Sequence, residues 1–302
     1  MPALTIPALD GVPLAADLHE PEGAPVAVAV LGPAMATPRG FYAPFARHLA
    51  SRGVAVLAID YRGVGGSAPA RLRGYRADLL DWADQDLAGA ADFLRERHPG
   101  LPLAWIGHSI GGQLLGVVQG VRVDAALLVA AQSGYWRHFP SVAVRAALSA
   151  FWWAGVPLLT AAFGKLPMRL LRQGIDVPAG AGRQWARWGR NPEYIWSHAA
   201  PRGGLHFATF AGPLRAYAFT DDPYAPLPAH RALLRHYAAT SPELRVVAPT
   251  DVGAARIGHF GFFRPALRHG LWDEAADWLL GALGVRPAVD PAPPDGVREA
   301  VP

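Results

Sequence analysis

The stretch Gly107-His108-Ser109-Ile110-Gly111, within "WIGHSIGGQ", sets one serine between two glycines. An apolar run that reads as a strand, Leu103–Gly107, precedes it, and a stretch that reads as a helix, Gly112–Gly120, follows. A chain passing from strand to helix over so few residues must turn sharply, with Ser109 at the apex and Oγ projected away from the sheet. Side chains two residues either side would collide there, which glycine avoids. The Ile110 N–H then lies at the helix start, where backbone donors lack intrahelical partners and can hold an oxyanion. The chemistry implied is attack of Oγ on a carbonyl, which needs a base and an acid to orient it. The plain alternative is a glycine-rich turn with an idle serine, and it fails to account for the residues downstream.

Those residues are an acid pair and a histidine. "AFTDDPYAP" places Asp221 and Asp222 at the end of a predicted strand, where sites on open α/β sheets gather. One of the two serves and the other caps a turn or a helix. Of eleven histidines, His259 and His269 lie beyond the last predicted strand. His259 sits in the glycine-flanked loop "RIGHFGFF", and His269 in "LRHG" at an expected helix C-terminus, a common structural place for a histidine. The turn directs His108 elsewhere, so His259 is the expected base.

Strands and helices alternate along the chain, which predicts a mostly parallel sheet covered by helices. Segments near Ala3–Ile6 and Val12–Leu18 flank the turn "LDGV". "VAVAVL" (Val26–Leu31), "VAVLAI" (Val54–Ile59), Leu103–Gly107, Asp124–Ala131, Leu214–Thr220 and Glu243–Pro249 read as strands. Phe41–Arg52, Tyr75–His98, a stretch near Pro228–Ala239 and Leu271–Leu283 read as helices. Between about Gln132 and Gly212 the alternation gives way to apolar and aromatic sequence interrupted by glycine and proline. The chain thus divides into a core, 1–132 and 213–283, a helical cap, 133–212, and a proline-rich tail, 284–302, expected to be disordered.

With 51% hydrophobic residues, the 302-residue chain can bury a sizeable core without staples. It has no cysteine, so disulfides and thiolate metal sites are excluded. The excess of four positive charges comes almost wholly from arginine, and with no Lys/Arg block a nucleic-acid partner is not expected. "MPALTIPALDG" lacks a cationic start followed by an apolar core, so no secretory signal is expected and the expected location is cytoplasmic.

With "DYRGVGGS" (Asp60–Ser67), "GHSIGGQ" (Gly107–Gln113), "DDPYAP" (Asp221–Pro226) and "GHFGFF" (Gly258–Phe263), the sequence resembles the α/β-hydrolase superfamily. The likeness is to its serine-aminopeptidase-like and monoacylglycerol-lipase-like branch, and to a bacterial subgroup of predicted hydrolases without settled substrates. It covers about residues 1–283 and implies a cofactor-free, metal-free hydrolase of carboxylic esters or related acyl bonds. In related hydrolases the acid commonly stands four residues before a loop proline. Asp222 and Pro226 match that pattern, which makes Asp222 the orienting acid and Asp221 the fallback. The resemblance also implies a second oxyanion donor in the loop after "VAVAVL". Aligned on "FYAPFARHLA", Pro33-Ala34 take the places of a usual His-Gly pair. Met35 N–H is then the donor, with Ala34 the alternative; Pro33 has no N–H to offer. In "DYRGVGGS", Asp60 and Arg62 are expected to organise the loop. A dinucleotide site there is disfavoured because no helix opens directly after the glycines.

The expected reaction is hydrolysis of a small or medium hydrophobic ester through an acyl-enzyme on Ser109. An amidase, iminopeptidase, thioesterase, lactonase or perhydrolase would use the same residues. Epoxide hydrolases and haloalkane dehalogenases use an aspartate where this chain has Ser109. A ligand-binding module with a dormant triad is the reading from another class. Six of ten tryptophans, Trp136, Trp152, Trp153, Trp185, Trp188 and Trp196, fall in the inserted region, as satellite core, dimer contact or apolar roof. "RQWARWGRNPEYIW" reads as aromatics turned inward beneath wet arginine heads. Nineteen residues, Ala146 to Gly164, carry no charge; as one helix they would run about 28 Å, near a bilayer's hydrocarbon thickness. A single span there would part Ser109 from His259, so a broken helical lid is expected instead, with Gly155 and Pro157 as the break. Transient contact with a lipid surface stays open, as does the choice between monomer and homodimer.

Overall fold

A computed structural model describes residues 4–286. The expected tail lies outside the described residues from position 287 onward, as do residues 1–3. Strands β1 (Leu4–Pro7) and β2 (Pro13–His19) form an antiparallel hairpin in which Leu4 faces Ala16. β3 (Ala27–Gly32), β4 (Val54–Ile59), β5 (Leu103–His108) and β6 (Ala125–Val129) follow, buried at every position. Burial on both faces is why these strands read as unbroken apolar runs. β7 (Lys165–Leu166) and β8 (Val177–Pro178) make a separate two-stranded pair, and β9 (Leu214–Phe219) and β10 (Glu243–Val247) complete the large sheet. Its eight strands run in the order β1-β2-β4-β3-β5-β6-β9-β10, with β2 alone running against the others.

Alternate side chains of the central strands feed two cores. Val28, Val30 and Trp105 pack on one side; Ala27, Ala29 and Leu31 pack on the other with Phe45, Leu49 and Trp272. The covering helices of the first half are α1 (Ala43–Ala50), α2 (Leu79–Asp81), α3 (Ala88–Arg97) and the short α4 (Ile110–Leu114). A π turn, Trp82–Leu87, joins α2 to α3. This long helix begins later than the expected Tyr75, because Asp78 and Asp81 form a reciprocal capping box around the first turn. α4 is shorter than the expected Gly112–Gly120 and starts earlier. Beyond it, the Gly116 carbonyl accepts the Phe207 N–H from the inserted region instead of continuing the helix.

Between β6 and β9 the chain forms α5 (Val142–Ala150), α6 (Val156–Phe163), α7 (Ala179–Arg190), α8 (Trp196–Ala199) and α9 (Leu205–Thr209). The break expected at Gly155 and Pro157 is absent. A π turn, Phe151–Gly155, joins α5 to α6 into one helix, Val142–Phe163. The wide turn places Pro157 in the first turn of α6, where no N–H is required, so the proline is accommodated. Gly164, left-handed at φ 66°, ends the helix. In α7, Trp188 is buried and Arg183 and Arg187 are exposed, as "RQWARW" predicted. α10 (Leu227–Leu234) and α11 (Asp273–Ala282) close the fold.

β3 has β4 on one side and β5 on the other, so the chain leaves it in both directions. This is a topological switch point, and the crevice beyond the C-terminal ends of β3 and β5 is where such sheets bind ligands. Gly32 and Gly107 face each other at that end, which brings the loops carrying Met35 and Ser109 together.

Candidate active site

Ser109 holds φ 52° and ψ −115°, a left-handed conformation that is costly for a residue with a side chain. The surroundings enforce it. The Ser109 N–H donates to Val129 O at 2.9 Å, and Ser109 O accepts from Gly112 and Gln113 at 3.0 and 3.1 Å. The flanking glycines are required by contact. A Cβ on Gly107 would stand 2.3 Å from Gly112 Cα, and one on Gly111 would stand 2.0 Å from Gly32 O. Ile110 opens α4, so its N–H has no intrahelical partner.

Asp222 and His259, far apart in sequence, meet after β9 and β10. Asp222 Oδ2 lies 2.7 Å from His259 Nδ1. Asp222 Oδ1 accepts the N–H groups of Tyr224 at 2.8 Å and Ala225 at 3.1 Å. Ionised, this carboxylate only accepts, so His259 carries its proton on Nδ1 and leaves Nε2 with a free lone pair. Asp222 is 5% exposed, and Ser109 and His259 are each 8% exposed, so all three are shielded from bulk water. Asp221 has a different task from the capping role expected of the second aspartate. Its carboxylate accepts from Ile257 N–H at 2.9 Å and Gly258 N–H at 3.0 Å, latching the loop that presents His259. His269 is exposed at a kink ahead of α11, not at a helix C-terminus, because Gly270 takes φ 111° beside it.

His108 points behind the turn, as expected, into a buried relay that sequence reading misses. Its Nε2 is 2.9 Å from the His259 carbonyl, which can only accept, so Nε2 carries the proton. Nδ1 therefore accepts the Tyr42 O–H at 2.8 Å, and the Tyr42 oxygen accepts the Ala34 N–H at 2.8 Å. Burial holds His108 well below the usual imidazole range, consistent with this neutral tautomer. The relay treats the two backbone donors of this loop differently: the Ala34 N–H is occupied by Tyr42, whereas the Met35 N–H has no hydrogen-bond partner among the described residues. A second chain runs below the serine. Tyr194 O–H donates to Gln113 Oε1 at 2.8 Å, Gln113 Nε2 to Gln132 Oε1 at 3.3 Å, and Gln132 Nε2 to Tyr224 O at 3.1 Å. It ties the inserted region to the loop of Asp222. The only sequence signal for it is Gln113 at the end of "GHSIGGQ".

Ser109, His259, Ala34 and Met35 line one cavity of about 550 Å³. Val144, Ala147 and Leu148 of α5, Phe151 and Trp152 of the π turn, and Trp185 of α7 close over it. Trp152 and Trp185 meet edge to face at 4.7 Å, so they serve both as packing and as lining. Gln132, Gln173 and Tyr224 are its polar side chains besides Ser109 and His259, and among the described residues no Asp, Glu, Lys or Arg lines it. A cavity of about 530 Å³ on the other side of Pro223 includes Asp222 but neither Ser109 nor His259. Among the described residues no cluster of three or more His, Asp or Glu is placed to hold a metal. Asp60 and Arg62 organise their loop, Asp60 holding Arg39 N–H and Gly66 N–H, and Arg62 bridging Asp86 and Asp10.

His230 of α10 is fully enclosed behind the acid. Burial, opposed by the Asp222 charge and reinforced by His259, lowers its pKa from 6.5 to about 4. The unfolded chain therefore takes up this proton first. Stability from His230 is complete above pH 6.5 and is lost as pH falls toward 4. Melting scans against pH should show this acid limb, and His230→Leu should flatten it by about 3 kcal/mol relative to its own neutral-pH value.

The mostly parallel eight-stranded sheet, with a serine at the turn after β5 and a buried Asp–His pair after β9 and β10, is the α/β-hydrolase architecture. Residues 23–172 match the sequence family described as serine aminopeptidase, S33, a match that takes in Met35 and Ser109 but not Asp222 or His259. The chain's fold is that of the α/β-hydrolase superfamily. Among solved structures, a Pyrococcus furiosus esterase is 15% identical, with TM-score 0.60 over 93% of this chain and 91% of that one. Est1E from Butyrivibrio proteoclasticus, determined with ferulic acid bound, is 13% identical, with TM-score 0.59 over 93% and 100%. An α/β serine hydrolase from Xanthomonas campestris described as lacking a lid is 15% identical, with TM-score 0.51 over 93% of each chain. At these identities the likeness is one of fold. No curated protein sequence matches the chain.

Proposed function

We propose that the protein is a serine hydrolase that cleaves a small or medium, uncharged carboxylic ester. In this reading His259 Nε2 takes the proton of Ser109 Oγ as Oγ attacks the ester carbonyl, and Asp222 stabilises the imidazolium. The N–H groups of Ile110 and Met35 receive the oxyanion. The imidazolium protonates the departing alcohol, and water then releases the acid from Ser109 by the reverse use of the same base. The helices α5–α7 act as a lid that shapes the acyl pocket.

The observation that carries the ester reading is the cavity lining. A substrate with a free α-ammonium would be desolvated there with no carboxylate to pair it, a cost of several kcal/mol. An aminopeptidase reading therefore fits the family description but not this pocket. Steady-state rates on p-nitrophenyl esters of increasing chain length, beside aminoacyl p-nitroanilides, test the proposal. Esters should dominate, and preferential turnover of aminoacyl substrates would overturn it.

The relay through Tyr42 makes a second prediction. Met35 is the first corner residue of the turn closed by Thr37 N–H and Ala34 O, a place where proline fits. Met35→Pro deletes one N–H and should lower kcat about 100–1,000-fold with little change in KM.

A further inference from the structure

The helix Val142–Phe163 is long and apolar enough to cross a membrane, yet only 11% of its most apolar window is buried in the protein. Its composition is thus not that of a core helix. No polar side chain of this helix is exposed: Arg145 and Ser149 are half-buried and Thr160 is buried. Val142, Trp153, Leu158 and Phe163 are exposed, Leu158 at 68%, and Leu170, just beyond the helix, is exposed at 63%. Large apolar side chains left exposed along so much of one helix mark an interaction site. The charges around it are one-sided. Between Asp124 and Glu193 there are eight Arg or Lys residues against a single acid, Asp176, a local excess of seven where the whole chain has four. Asp176 itself is paired to Lys165 at 2.7 Å. Arg137, Arg169, Arg172, Arg183 and Arg187 are exposed, and Arg137 and Arg190 lie over the rings of Trp136 and Trp153 at 4.9 and 5.8 Å.

We infer that the outer face of Val142–Phe163 docks on an anionic phospholipid surface, with the helix lying in the interface and the flanking arginines on the headgroups. An apolar strip between cations is the pattern that binds such a surface. Ser109 and His259 precede and follow the helix yet line one cavity, so the helix lies on the bilayer instead of crossing it. A two-fold contact with a second copy would set the same cations against each other, which disfavours self-association. The inference is independent of the proposed hydrolysis.

Flotation of the full chain carrying Ser109→Ala tests it, with vesicles of phosphatidylcholine alone or mixed with phosphatidylglycerol. The protein should float with the anionic vesicles, and high salt should weaken this. Arg169→Ala and Arg172→Ala should each lower the partition about fivefold. Leu158→Glu with Phe163→Glu should lower it at least tenfold, by about two charged groups set against apolar lipid. Circular dichroism melting checks that this exposed-face variant remains folded. No flotation with anionic vesicles, equal flotation of Leu158→Glu/Phe163→Glu, or a dimer in sedimentation equilibrium that this variant dissolves while vesicles are ignored, would each overturn the inference.

Discussion

Ser109→Ala should reduce hydrolysis of a p-nitrophenyl ester on the order of a million-fold, to the background that binding and oxyanion donors alone sustain. The loss is expected in kcat, because Oγ supplies the bond-forming atom and contributes little to holding the substrate. The fold should be untouched. Alanine meets the same left-handed backbone that serine already adopts at φ 52°, and Ser109 Oγ donates no hydrogen bond on which neighbouring elements depend among the described residues. Equal melting temperatures beside the lost rate would separate chemistry from stability.

Asp222→Asn should cost about 10⁴-fold in kcat. The reason lies in the two backbone donors at Oδ1. Tyr224 and Ala225 N–H demand an oxygen there, so the asparagine amide turns its nitrogen toward His259. An amide N–H can only donate, which moves the imidazole proton from Nδ1 to Nε2 and removes the lone pair that would take the serine proton. Asp221→Asn is the control. It keeps one acceptor for Ile257 or Gly258 but not both, so it loosens the His259 loop without changing the tautomer. It should cost about 1–2 kcal/mol of stability and far less rate. Kinetics and melting of the two variants together check the assignment.

How legible these roles are in the sequence depends on how local their causes are. The turn at Ser109 is local: Gly107 and Gly111 are demanded by contacts with Gly112 and Gly32 at the strand end, and G-x-S-x-G records them. The alternation of strands is legible for a similar reason, since burial on both faces leaves unbroken apolar runs. Asp221 and Asp222 are a harder case. Both end the same strand, and only the tertiary fold shows that one meets His259 and the other its loop. That the Ala34 N–H is taken is the work of Tyr42, whose own partner His108 lies 66 residues further on. Nothing in "GPAMATPRGFY" discloses that. Gly155 and Pro157 misled for a different reason, because a π turn accommodates a proline that an unbroken α-helix would not.

The central claim, that Ser109 is the activated nucleophile of an acyl-transfer site, is tested most directly by peptide mapping after treatment with an alkyl fluorophosphonate. A single adduct on Ser109 is expected, lost in Ser109→Ala and strongly slowed in Asp222→Asn. Labelling at another residue, or none under conditions where the chain is folded, would contradict it.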